Sequence, residues 1–349
     1  MTTRIEYNSI QYLRAVAALS VVADHLSIQF SRIGSPIGFT DLLAAGVDLF
    51  FVISGFIMFV TTKDSDVTPV QFYKKRIVRI VPLYWFFTSI MVVAALAAPR
   101  LLGSGKFDLA HIVSSYLFLP YPHPVVDAIY PVLVPGWTLN YEMYFYAIFG
   151  MALLLPAKAR LWSVGAVLVS LSALGGLFSP NNAALEFWTD AIILEFLFGM
   201  IIAAALTNDR IRLSRAPAWG LIALGVLMLF IPYSASVGLS RAWFFGVPTA
   251  LVLAGFVMLD RLGDIGRWRV PKLLGDASYS IYLSHGMTLS ALTQVWKKLD
   301  LGGDLPAIAF FVTIGMAAST CIGIAVYFTI ERPMTRLFAG TRRIRPVHA

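Results

Sequence analysis

The 349-residue sequence predicts an all-α integral membrane protein, a bundle of about ten transmembrane helices with both termini cytoplasmic. Three observations predict it. Charged residues make up 13% of the chain and apolar residues 58%, with a mean hydropathy of +0.76, whereas soluble domains carry roughly 25% charged residues. Apolar runs of 17 or more residues, long enough to cross roughly 30 Å of hydrocarbon, recur along the chain. The basic residues gather on alternate connecting segments. The aromatic content (25 Phe, 14 Tyr and 8 Trp) suits lipid-facing helices with interfacial belts better than the weak alternation of a β-barrel. Disordered and fibrous classes are excluded. The single cysteine, Cys321, excludes an intramolecular disulfide and a Cys-rich metal site, and no metal is expected.

The runs fall at 10–29, 42–61, 80–98, 137–156, 161–178, 187–206, 217–233, 242–260, 274–296 and 305–330. The first follows a short polar start and lacks a small-residue cleavage site, so it reads as a retained helix. The longest interval, 99–136, is too short for an independent domain. Its apolar stretch from His111 to Leu119 is too short to span, and the proline-rich, nearly uncharged YPHPVVDAIYPVLVP leads on from it. A short helix and a loop packed on the outer mouth of the bundle are expected there. The chain therefore reads as one transmembrane domain over 1–349, with a short basic cytoplasmic tail at 333–349 and no internal repeat.

With both ends cytoplasmic, twenty of the 27 Lys and Arg lie on inside segments, six lie outside, and Arg14 lies within the first span. This asymmetry fixes the orientation. It also absorbs most of the net charge of +8, which leaves nucleic acid as an unsupported partner and a cytoplasmic anion as an open one.

Charges within spans cost about 2.5–3.5 kcal/mol each on insertion scales, so each is a functional candidate. The first span runs outward and places Arg14 near the cytoplasmic surface and His25 near the outer one, roughly 16 Å apart along a helix. Asp48 and Glu142, on inward-running spans, share the depth of His25. Asp24 is about 100° round the helix from it. A histidine with a carboxylate at its depth meets the minimum for general-base work, and an interhelical ion pair that only fixes packing is the structural alternative. His285, in SYSIYLSHG with Tyr282 nearby, is a further pocket candidate.

In KKRIVRIVP, Arg76 and Arg79 stand three apart and present two guanidinium forks on one helix face, suited to phosphate oxygens. Lys74 and Lys75 add to the local field. A topology anchor or lipid-headgroup contact is the alternative.

In combination these residues resemble the acyltransferase-3 family of integral membrane O-acyltransferases, in its exopolysaccharide O-acetyltransferase branch. IQYLRAVAALSVVADH holds the Arg-x10-His pair as Arg14 and His25, and GVDLFFVISGF fits the second-helix signature. RIVR fits the Arg-x-x-Arg pattern, WTLNYE fits Trp-Ser/Thr-Leu-x-x-Glu, and LGDASYSIYLSH and ERP at Glu331 to Pro333 complete the order. The resemblance implies transfer of an acyl group, usually acetyl, from cytoplasmic acetyl-CoA to a sugar hydroxyl in an exopolysaccharide or its lipid-linked precursor. It implies the inner (plasma) membrane, contact with membrane lipid and a link to polysaccharide assembly machinery.

Carried over, His25 is the catalytic histidine, Arg14 its paired residue, and Arg76 with Arg79 the nucleotide-phosphate clamp. With the phosphates held there, the donor's long arm is expected to pass Arg14 towards His25, Asp48 and Glu142. Ser54, Asn140 and Tyr144 are candidate oxyanion donors, while Trp137, Asn140, Tyr144, Tyr282 and His285 are candidates on the acceptor side. Direct attack on the thioester and an acyl-histidine intermediate both stay open. Many relatives carry a C-terminal hydrolase-like domain; this chain ends at Ala349 without one, which raises the question of a separate protein that delivers the acceptor. The rival from another class is a transporter or flippase of polyprenyl-linked saccharides, against which stand the absence of a repeat and the fixed arginine pair.

Overall fold

The computed structural model describes residues 7–34, 41–97, 108–208, 212–233 and 239–339. About 80% of the described residues are helical, and among them there is no strand, only an isolated bridge between Pro122 and Ile129. Arg4, Arg100, Lys106, Arg210, Arg342, Arg343 and Arg345, counted above for orientation, lie outside the described residues, as does most of the basic tail.

The helices are α1 (Asn8–Arg32), α2 (Ala45–Thr62), α3 (Pro69–Ala97), α4 (Leu109–Tyr116), α5 (Trp137–Ala152), α6 (Ala157–Phe178), α7 (Ala183–Thr189), α8 (Leu194–Leu206), α9 (Arg215–Leu229), α10 (Val247–Arg261), α11 (Arg269–Asp276), α12 (Ser278–Lys298), α13 (Leu305–Val326) and α14 (Arg332–Ala339). Among the described residues, seven helical segments are long and apolar enough to cross a membrane: Asn8–Arg32, Leu42–Thr62, Pro69–Ala97, Ala157–Phe178, Ala183–Leu206, Ala242–Arg261 and Leu305–Phe338. The other three expected spans fall on α5, α9 and α12. Of these α5 and α9 have 16 and 15 residues, and α12 carries Ser, Thr, His and Lys that lower its hydropathy.

Short polar side chains start several of these helices. Asp108, Asn182 and Asp304 accept backbone N–H groups at the starts of α4, α7 and α13, and so satisfy donors that the first turn leaves open. Between the long helices, glycine sets how closely backbones approach. A Cβ at Gly55 on α2 would lie 1.9 Å from the carbonyl oxygen of Phe196, and one at Gly199 on α8 would lie 1.9 Å from that of Val52. The α2–α8 crossing is thus locked by two glycines, the small-residue packing expected where apolar surroundings give helices no hydrophobic drive to associate.

Helix α3 begins about three turns before the apolar run that was expected to span, so Arg76 and Arg79 ride on a helical extension directed into the bundle's end. In the interval 108–136, α4 and its loop are tied down against α3. The Tyr84 hydroxyl donates to the Ser115 carbonyl at 3.1 Å, and the Trp85 indole donates to the Tyr116 carbonyl at 2.8 Å. Within the loop, Val132 N–H donates to Ser115 Oγ at 2.9 Å, and a nitrogen of the His111 ring donates to the Tyr130 carbonyl at 2.8 Å.

Candidate functional site

Helices α1, α2, α3, α5 and α12 surround a cavity. Six of the sequence-predicted site residues line it: Arg14, Ser54, Arg76, Arg79, Glu142 and Tyr282. Arg14 comes from the first turns of α1 and is buried, while Arg76 and Arg79 reach in from the extension of α3. Among the described residues, none of these three arginines has a carboxylate within ion-pair distance. Arg76 Nε is buried without a hydrogen-bond acceptor, and its guanidinium lies 5.8 Å from the Phe72 ring centroid and 5.9 Å from that of Tyr146. Three cations line one cavity with Glu142 as its only lining carboxylate among the described residues, an excess of positive charge that suits an anion with several oxygens.

The carboxylate of Glu142 is held at the cavity wall by two hydroxyls. Ser54 Oγ donates to Glu142 Oε1 at 3.0 Å, and the Tyr146 hydroxyl, one turn further along α5, donates to the same oxygen. Tyr279 donates to the Ile80 carbonyl at 2.8 Å and so fixes α12 to α3 at the rim. The Tyr282 hydroxyl donates to the Pro135 carbonyl at 2.9 Å and lies 2.8 Å from Thr138 Oγ1, which couples α12 to the start of α5.

Beyond Tyr282 stand two histidines. The Tyr282 and His285 ring centroids are 5.8 Å apart, and the His285 and His25 rings meet edge to face at 4.8 Å. His25 Nδ1 lies 3.0 Å from the Val21 carbonyl, and His285 Nδ1 lies 2.5 Å from the Tyr282 carbonyl. A carbonyl only accepts, so each Nδ1 carries the hydrogen and each Nε2 keeps its lone pair when the ring is neutral. His285 is fully buried and its Nε2 has no partner, while His25 is partly open. Asp24 Oδ2 approaches His25 Nδ1 at 3.9 Å, outside hydrogen-bond range.

The remaining predicted residues lie elsewhere. Asp48 is fully buried and bound in a fork by Arg241, with Nη2 to Oδ2 at 2.6 Å and Nε to Oδ1 at 3.0 Å; Arg241 also donates to the Ala44 carbonyl. Its charge is spent on that pair rather than on His25. Lys75 is exposed and does not line the cavity. Asn140 is buried on another face of α5 with its Oδ1 unpartnered, and Tyr144 stacks on Trp188 at 5.8 Å. Trp137 is half-buried against Phe51 and Tyr141.

Sequence reasoning missed Arg241, Glu195, Tyr146 and Thr138. Glu195 is a fully buried carboxylate in the middle of an apolar run, and the insertion cost that flagged Asp48 could have found it. Among the described residues no group of three or more His, Cys, Asp or Glu is arranged to hold a metal ion.

Comparison with known proteins gives one consistent answer. The family model described as acyltransferase domain, of the acyltransferase-3 family, matches residues 7–328. The chain is 38% identical to the exopolysaccharide production protein ExoZ of Rhizobium meliloti (strain 1021), over 84% of this chain and 90% of that protein. It is 26% identical to the acyltransferase MdmB of Streptomyces mycarofaciens, over 96% of this chain and 93% of the relative. Identity is also 26% with the putative peptidoglycan O-acetyltransferase YrhL of Bacillus subtilis (strain 168), over 92% of this chain and 54% of that protein. No solved structure matches.

Proposed function

From the premise that the chain belongs to the acyltransferase-3 family and is a multi-pass membrane O-acyltransferase, we propose that it moves an acetyl group from cytoplasmic acetyl-CoA to a sugar hydroxyl of an exopolysaccharide or its lipid-linked precursor. The observation that carries this reading is one cavity lined by three arginines that make no direct ion pair and by Tyr282, beyond which the histidine pair stands. In this reading ten spans place both termini and the arginine end in the cytoplasm of a bacterial inner membrane, where the charge asymmetry puts them.

Arg76 and Arg79 bind the donor's phosphates, and Arg14, one helix away, extends the positive field inward. The uncharged arm then lies along Ser54, Thr138 and Tyr282 towards His25. His25 Nε2 takes the proton from the attacking hydroxyl. The sugar oxygen bonds to the thioester carbonyl carbon, the C–S bond breaks, and the proton passes from His25 to the departing sulfur. Such a base contributes about 10²–10⁴-fold. An acyl-imidazole is the second route: a bond from His25 Nε2 to the acyl carbon forms as the C–S bond breaks and the thiolate departs, then the sugar C–O bond forms as that C–N bond breaks, and the hydroxyl proton ends on the thiolate.

The test is purified protein in detergent supplied with labelled acetyl-CoA, with binding and label transfer to an added oligosaccharide measured together. Bound donor and labelled sugar are expected. Saccharide binding with neither donor binding nor thioester turnover would instead support a saccharide transporter or flippase.

A further inference from the structure

A second opening lies on the far side of α5, and the reaction described so far does not use it. It is an open cleft between the loop 122–130, the start of α5 and α7. Helix α5 is the wall between the two spaces. Thr138, Glu142 and Tyr146 follow one ridge with four-residue spacing and line the arginine cavity, whereas Trp137 and Tyr141, on the adjacent ridge, line the cleft. Neighbouring positions on one helix thus face two compartments within a turn of each other.

The chemistry of the two spaces is opposite. The cleft contains Asp127, Glu186 and Asp190, and no Lys or Arg lines it. Asp127 and Glu186 are exposed and accept no hydrogen bond from another described residue, whereas Asp190 is partly used in capping Ile192 N–H at 2.8 Å. These carboxylates are not grouped for a metal ion. Trp137 and Tyr130 are half-buried and present ring surface beside these carboxylates.

Ionised carboxylates are acceptors only, so they suit a ligand rich in O–H donors, and aromatic rings suit one with apolar C–H faces. Saccharides offer both. A uronate, phosphate or sulfate group would meet like charge with no cation to offset it. We infer that this cleft binds the acceptor and selects an uncharged, hydroxyl-rich saccharide, with the half-buried rings of Trp137 and Tyr130 holding it across α5 from the arginine cavity. The inference rests on the acetyltransferase reading for the meaning of acceptor, but the binding it asserts is measurable alone.

The experiment uses the full chain in lipid nanodiscs. Calorimetry measures binding of neutral hexasaccharides of glucose, galactose and mannose, and of a hexa-galacturonate, with acetyl-CoA binding measured in the same preparations. At least one neutral hexasaccharide is expected to bind more tightly than the galacturonate. The double variant Asp127→Ala/Glu186→Ala, changed at two exposed positions, should weaken that binding about tenfold, on the order expected for lost hydrogen bonds to charged acceptors. Acetyl-CoA binding should be unchanged in it. Asp127→Lys/Glu186→Lys should shift preference towards the galacturonate.

The inference is overturned if no neutral hexasaccharide binds while acetyl-CoA does, or if the galacturonate binds the unaltered protein as tightly. It also falls if neither the double alanine variant nor Trp137→Ala changes neutral binding. Neutral saccharide binding without acetyl-CoA binding leaves the cleft assignment standing and removes the donor reading instead.

Discussion

The His25 and His285 rings meet edge to face with centroids 4.8 Å apart, and each is pinned through Nδ1 to a carbonyl of its own helix. One backbone bond per ring therefore leaves two Nε2 lone pairs at the junction of α1 and α12. Burial separates them: His285 is closed off and His25 is partly open. In the proposed reaction His25 is thus the ring open to a reactant, and His285 the one that positions it.

This division predicts unequal variants. His285→Phe should lower kcat about tenfold and leave the donor KM within about twofold, since the ring's packing is kept and only its polar edge is lost. His285→Gln, which restores a polar group at that edge, should recover part of the rate. A purely structural role for His285 would show as a lower thermal midpoint with unchanged kinetics in the folded fraction.

Arg76→Lys or Arg79→Lys should raise the donor KM about tenfold and leave kcat nearly constant. Lysine keeps the charge but replaces a planar five-donor fork by a compact ammonium, which loses bidentate contact with phosphate. Steady-state kinetics with acetyl-CoA as the varied substrate checks this. Lys75→Ala, at an exposed side chain off the cavity, should change neither parameter beyond about twofold.

Asp48→Asn should act on stability. It leaves Arg241 facing a neutral amide where a forked, buried carboxylate stood, and breaking a buried pair costs about 3–5 kcal/mol. A lower unfolding midpoint in detergent with an unchanged donor KM is the expected outcome. Full stability with lost turnover would return Asp48 to the chemistry.

Gly55→Ala and Gly199→Ala each drive a methyl into a backbone carbonyl at 1.9 Å, so α2 and α8 must separate. A cost of at least about 1–3 kcal/mol is expected, read as a lower folded yield and thermal midpoint. Gly176→Ala, with nothing within 4 Å of the added carbon, is the control and should be neutral.

The contrast between Asp48 and Glu142 shows what the sequence could and could not supply. Depth follows from residue count at 1.5 Å per residue, and it put both near the level of His25. Azimuth does not follow from counting, because it depends on how each helix is rotated by its neighbours. Asp48 turns towards Arg241, while Glu142 turns towards Ser54 and Tyr146. The same limit applies to Tyr144, which sits two residues from Glu142 and stacks outward on Trp188. Arg14, Arg76 and Arg79 were legible as candidates because a charged residue in or beside an apolar run has few places to go. Arg241 was counted as a surface charge because the chain offers no local sign that Asp48, 193 positions away, is its partner.

In the proposed reaction the arginines hold the donor and His25 moves the proton. Acetyl-CoA binding and thioester cleavage, measured in the same samples of the unaltered protein, His25→Ala and Arg76→Ala/Arg79→Ala, test it most directly. His25→Ala is expected to bind the donor normally while its turnover falls at least about 100-fold, and the double arginine variant to lose binding. Turnover by His25→Ala at the unaltered rate, or no acetyl-CoA binding by any of the three, would contradict it.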